Sequence, residues 1–147
     1  MSAAVSVSQV STSVSIAPIR TFVQISGSML IRESSAATGL NIATPFSLGG
    51  NRAVAMTATG LNYADNTIES ETLGITKFSA GANSTANILF AGELNGFSGL
   101  ITGESIYLGV SGIITQTPPT AGYLQVLGVA ISSTKINIQL QPPIFLG

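Results

Sequence analysis

The sequence predicts an all-β protein, an antiparallel β-sandwich of jelly-roll type with an extended N-terminal arm, and three observations carry that reading. Short apolar runs recur along the chain, separated by Gly-, Pro-, Ser- and Asn-containing turn signals at intervals of about 8 to 12 residues. Several runs alternate apolar and polar positions with a period of two, as a half-buried strand requires. Nowhere does an apolar stripe of helical period coincide with capping residues.

Taken in order, residues 2–17 form a Ser/Val tract in which Val5, Val7, Val10, Val14 and Ile16 alternate with small polar residues. β-Branched residues favour extended backbone. The tract reads as a disordered tail or, on the strength of its one-sided Val pattern, as an arm that adds a strand to a neighbouring sheet. Pro18 cannot donate to a ladder and marks the junction between an arm at 1–18 and a body at 19–147. Residues 20–25 and 28–32 read as strands about a turn at Gly27, and residues 33–39 as a polar loop. Residues 40–48 form a weaker extended run broken by Pro45 and stopped by Gly49-Gly50. Residues 53–59 alternate again, with a turn at residues 63–66. The stretch 67–74 fits one helical turn or a strand. Residues 75–78 and 86–90 read as short strands around a loop at 79–84. Gly92, Gly96, Gly99 and Gly103 then place either a boundary or a loop and bulge run before the last third. There, residues 105–109 make a run broken at Ser111-Gly112, Ile113-Ile114 begin another, residues 123–131 make the longest, and residues 135–140 alternate strictly.

With 147 residues the chain is long enough for one domain with a core of its own. Hydrophobic residues make up 45% but charged residues only 7%, with a net charge of −1, the balance being Ser, Thr, Asn, Gln and Gly. A chain so neutral has little repulsion to oppose association, which predicts an obligate oligomer or assembly component. Mean hydropathy is +0.50, yet polar residues interrupt every apolar window, so no spanning helix is expected. A membrane β-barrel would need aromatic girdles, and the chain is 6% aromatic without Trp. No Lys or Arg precedes Arg20, so no secretory leader is expected. Arg20, Arg32, Arg52, Lys77 and Lys135 are scattered, which argues against nucleic acid as a partner.

Chemistry is sparse. The absence of His and Cys removes imidazole- and thiolate-based nucleophilic systems and zinc sites. Glu69 and Glu71 would share a face of a strand, the arrangement of an acid and base pair, but acids beside a turn more often sit in solvent. Asp65, Asn66, Thr67 and Glu69 offer oxygens of the kind that bind Ca²⁺, without a spacing that makes them converge. No phosphate-binding glycine motif is present. The expectation is therefore a non-enzyme with no catalytic residues, no cofactor and no metal. Glu104 and Lys135 stand either as an opposite pair or as two unrelated exposed charges. Pro118-Pro119 and Pro142-Pro143 stiffen a loop and a tail. The terminal Ile144, Phe145 and Leu146 are too apolar for a free end, and are expected to pack on their own core or against a neighbour.

Residues 103–147 carry one further signal. Gly103, Glu104, Ile106, Tyr107, Leu108, Gly112, Thr115, Thr117, Pro118, Gly122, Gln125, Val126, Gly128, Val129, Ala130, Ser132, Thr134, Lys135 and Ile136 follow a pattern. This pattern resembles a module of tailed-phage virion proteins, found in capsid decoration (cement) proteins and in head- and tail-fibre proteins. The resemblance implies a structural virion protein on the outer surface of the capsid, bound to the major capsid protein as a homotrimer and stabilising the shell. The alternative it leaves is a receptor-binding tail- or head-fibre protein that recognises host glycans. The scarcity of aromatic residues and the lack of a shaft repeat disfavour that role. Val5, Val7, Val10, Val14, Ile16, Ile144, Phe145 and Leu146 are the residues expected at the subunit or capsid interface.

Overall fold

The computed structural model describes residues 37–147. The arm at 1–18, with Val5, Val7, Val10, Val14 and Ile16, and the strands expected at 20–25 and 28–32 lie outside the described residues. The described chain is all-β. In order, the strands are β1 (Thr38–Thr44), β2 (Ala53–Thr57), β3 (Gly60–Tyr63), β4 (Gly74–Thr76) and β5 (Ser84–Asn95). They continue as β6 (Ser105–Leu108), β7 (Ile114–Thr115), β8 (Tyr123–Leu124), β9 (Val126–Ser132), β10 (Lys135–Gln139) and β11 (Ile144–Phe145). A 3-10 turn at Val110–Gly112 joins β6 to β7.

Nine strands form one antiparallel sheet in the order β3-β2-β4-β5-β10-β9-β6-β7, with β1 also paired to β5, while β8 and β11 form a separate two-stranded ribbon. The sheet is curled. Its organising element is β5, a strand of 12 residues. Leu89 is paired with Gly39 of β1 on one edge and with Ile75 of β4 on the other. From Ala91 to Asn95, β10 takes over from β4, with Gln139 opposite Ala91 and Lys135 opposite Asn95. The Gly-rich stretch therefore opens inside a strand, and β5 joins the first half of the described chain to the last third.

Burial follows from the pleat. Neighbouring side chains on a strand point to opposite faces, and parts of β2 and β5 are covered on both. Ala53, Ala55, Ile75 and Leu89 enter one core with Leu94, Ile106, Leu108, Leu127, Ile136 and Ile138. Val54 and Ile88 enter a second core with Leu48, Leu61, Ala80 and Ala86. A strand buried on both sides reads as a continuous apolar run rather than an alternation, which is why Ala53, Val54 and Ala55 are all buried.

Local sequence accounts for the connections. Ala58-Thr59 and Ser133-Thr134 are the two-residue loops of the β2–β3 and β9–β10 hairpins, bounded by the pairs Thr57–Gly60 and Ser132–Lys135. In β9, Val126 lies opposite Tyr107 but Gly128 lies opposite Ile106, so Leu127 is the extra residue of a bulge. That residue is fully buried. Gly128 is required there because a Cβ would collide with the carbonyl oxygen of Asn137 on β10.

Residues 38–39 and 60–63 are strand where none was expected, and β5 extends beyond 86–90 at both ends. Two further segments depart more strongly from the sequence expectation. Residues 67–74 form neither a helical turn nor a strand until Gly74: Thr67 bonds back to Asp65, while Thr72 and the Leu73 amide are taken by the distant Gln125 and Val54. The run at 123–131 is broken at Gln125: Tyr123-Leu124 leave the main sheet to pair with Ile144-Phe145, and the Gln125 side chain turns inward.

Candidate interaction surface

The loop at 64–73 connects β3 to β4 and is held by hydrogen bonds along its length, among them the Tyr123 amide to the Asn66 carbonyl at 2.8 Å. At its end, the Leu73 amide donates to the Val54 carbonyl at 2.8 Å. Beside it, the buried Gln125 Oε1 accepts from the Thr72 hydroxyl at 2.8 Å and from the Thr72 amide at 3.3 Å. Gln125 Nε2 donates to the Gln141 carbonyl at 2.7 Å, so one side chain joins the loop to the C-terminal tail. At its start, Asp65 Oδ1 accepts from the Thr67 amide at 2.9 Å and the Thr67 hydroxyl at 2.6 Å. Asp65 Oδ2 accepts from the Ser111 amide of the 3-10 turn at 2.8 Å. Partial burial pushes the Asp65 carboxyl up, but these three bonds outweigh it and hold the group below its ordinary value. The same junction is closed by Arg52, whose Nη1 donates to the Ser111 carbonyl at 2.9 Å. The Arg52 guanidinium also lies 5.2 Å from the centre of the Tyr63 ring.

Held in this way, the loop forms one wall of an open cleft of about 640 Å³ lined by Met56, Thr57, Tyr63 and the stretch from Ile68 to Leu73. Met56 is 57% exposed and Ile68 59%. Glu69 and Glu71 both lie in this wall and both are exposed. They do not sit on a strand, so the shared strand face expected of an acid and base pair is not formed. Of the oxygens at Asp65, Asn66, Thr67 and Glu69, those of Asp65 are already engaged. The Asp65 oxygens are taken by amide and hydroxyl donors, and the described residues contain no group of three or more His, Cys, Asp or Glu that converge.

The second surface is the ribbon of β8 and β11. The Leu146 amide donates to Gly122 at 2.7 Å and the Gly122 amide to Gly147 at 3.0 Å, so the backbone of this end is well paired. Phe145 packs its ring 5.0 Å from that of Tyr123. The side chains nevertheless remain open, Ile144 at 60%, Phe145 at 65% and Leu146 at 43% exposure. Within this chain they are therefore not in the core. Lys135 pairs with Glu93 at 3.3 Å across β10 and β5, not with Glu104. Sequence reasoning missed both Glu93 and Gln125 as partners because each contact joins residues far apart in the chain: strand pairing brings Glu93 beside Lys135, and the fold of the 64–73 loop brings Thr72 to Gln125.

No family model matches the chain, and no curated protein sequence matches it. Among solved structures, the chain is similar to the N base of the head fiber gp8.5 of bacteriophage phi29. The identity is 11% over 71% of this chain and 95% of that one, with a TM-score of 0.46. Likeness at that level carries no functional inference.

Proposed function

We propose that this chain is a structural protein of a tailed-phage virion, a capsid decoration (cement) protein that binds the outer shell as a homotrimer and stabilises it. The observation that carries the reading is the last third of the chain. Its residues resemble the virion module, and it ends in Ile144, Phe145 and Leu146, apolar and exposed although their backbone is paired. Apolar surface left uncovered in a well-ordered element favours association, at roughly 25 cal/mol per Å² removed from water.

The action is adhesive rather than chemical, and neither enzyme activity nor a cofactor is part of it. With 7% charged residues the surface offers little long-range repulsion. Each subunit of a cyclic trimer presents the same patch, and three modest contacts with the major capsid protein act together as one strong attachment. An arm at residues 2–17 exchanged between subunits fits the same scheme.

The test is the mass of the purified chain by light scattering, with and without expanded capsids of the phage that carries its gene. The expected result is three times the 14.9 kDa chain mass, in a species that co-sediments with capsids. A trimer that ignores capsids and binds host cells would replace this reading with the fibre one, and a monomer that does neither would end both.

A further inference from the structure

The few charges of this chain are unevenly used. In the described residues, every basic side chain is engaged within the molecule. Arg52 is bound to Ser111 and faces Tyr63, Lys77 lies 5.2 Å from the centre of the Phe78 ring, and Lys135 pairs with Glu93. Among the acids, Asp65 is occupied by Thr67 and Ser111, and Glu93 by Lys135. Glu69, Glu71 and Glu104 make no ion pair among the described residues, and of these Glu69 and Glu71 stand together in the wall of the same cleft, whose lining contains no basic residue.

Beside them, Met56 and Ile68 leave more than half of their surface open, and the Tyr63 ring completes the lining. Tyr63 is fixed, since its hydroxyl accepts from the Gly49 amide at 2.7 Å. The wall itself is held by Asp65, Thr72 and Leu73, so the cleft does not need to form on binding, which lowers the entropy cost of an occupant. The cleft volume lies within the range of recognition sites.

We infer that this cleft docks an extended segment of a partner protein that carries an Arg or Lys flanked by an aliphatic side chain. The aliphatic group would lie against Met56 and Ile68, and the cation would be met by Glu69 and Glu71. Complementary charge supplies the direction of the contact and its discrimination. Apolar burial supplies most of its strength. The inference goes beyond the virion reading and is independent of it, because capsid co-sedimentation tests that reading without reference to this cleft.

The experiment is an NMR titration of the full chain with a capped Leu-Arg-Leu tripeptide, and in parallel with Leu-citrulline-Leu, which keeps the shape and removes the charge. The expected result is saturable shifts confined to Met56 and the stretch from Ile68 to Leu73, with the Arg peptide binding more tightly than the citrulline one. The double variant Glu69→Gln/Glu71→Gln, whose substitutions are exposed and isosteric, is expected to keep the native spectrum and weaken the Arg peptide about fivefold. Added salt should act in the same direction. Shifts elsewhere, no shifts, equal binding of the citrulline peptide, or an unchanged affinity in the double variant would each overturn the inference.

Discussion

Gln125 shows how much a single side chain decides in this fold. A glutamine inside an apolar run has no periodic signal that announces its partners, and its acceptors and donors come from Thr72 and Gln141. Its position in the run was legible, whereas its inward turn was not. Replacing it by Leu keeps the bulk but leaves the Thr72 amide and hydroxyl and the Gln141 carbonyl without partners. The expected cost is about 2 to 4 kcal/mol, read as a lower urea midpoint at unchanged slope. A shift below about 0.5 kcal/mol would mean that water replaces the amide freely. Asp65 was legible as a turn residue, but its bond to Ser111 was not, since the two are joined only by the curl of the sheet. Its folded pKa lies below the ordinary value, so the group stabilises the fold above the unfolded pKa of about 3.9. That contribution is lost as pH falls through the lower folded value. Asp65→Asn is therefore expected to flatten the acid limb of unfolding free energy against pH, below about pH 4, and an unchanged limb would refute the assignment.

At the scale of elements, what could be read depended on whether burial was one-sided. The strict alternation from Lys135 to Gln139 sets Ile136 and Ile138 in the core and gave a strand with the observed bounds to within a residue. The strand at 86–90 was correctly placed but too short. β5 runs from Ser84 to Asn95, and its later half contains Gly92 and Glu93, which weaken any propensity signal although β10 pairs with them. The stretch 67–74 was ambiguous for a physical reason: its end is held by groups distant in sequence, Thr72 by Gln125 and the Leu73 amide by Val54, so no local pattern describes it. The bulge at Leu127 depends on the close approach of Gly128 to Asn137, a contact between elements that only their register reveals. Gly128→Ala places a methyl group against that carbonyl and is expected to cost about 1 to 3 kcal/mol. A thermal melt that matched the wild-type chain would show that β9 and β10 can separate without penalty.

For the whole molecule, the relevant contrast lies between a backbone that is satisfied and a surface that is not. The all-β class followed from pattern alone, since short runs and frequent turn residues leave no room for long helices. The candidate cleft did not, because it depends on how the 64–73 loop is tied down by Val54 of β2, Gln125 and Ser111. The C-terminal ribbon lies between these cases: its apolar character was plain, and its partner β8 was not. A two-stranded ribbon is marginal by itself in water, and this one is anchored by Gln141, whose amide donates to Val126 and whose carbonyl accepts from Gln125. Its exposed side chains contribute little to the fold of the single chain, so the double variant Ile144→Ser/Phe145→Ser is expected to change the unfolding midpoint only slightly. Association is where the same variant should tell. Two large apolar side chains at an interface are worth about 1 kcal/mol or more each, and a trimer contains three copies of each. The expected outcome is a mass that falls toward that of the monomer on dilution, together with weakened sedimentation with capsids. If the variant instead kept the wild-type mass and capsid binding while losing thermal stability, the ribbon would be a structural brace rather than a contact surface. The adhesive face would then have to lie elsewhere on the chain.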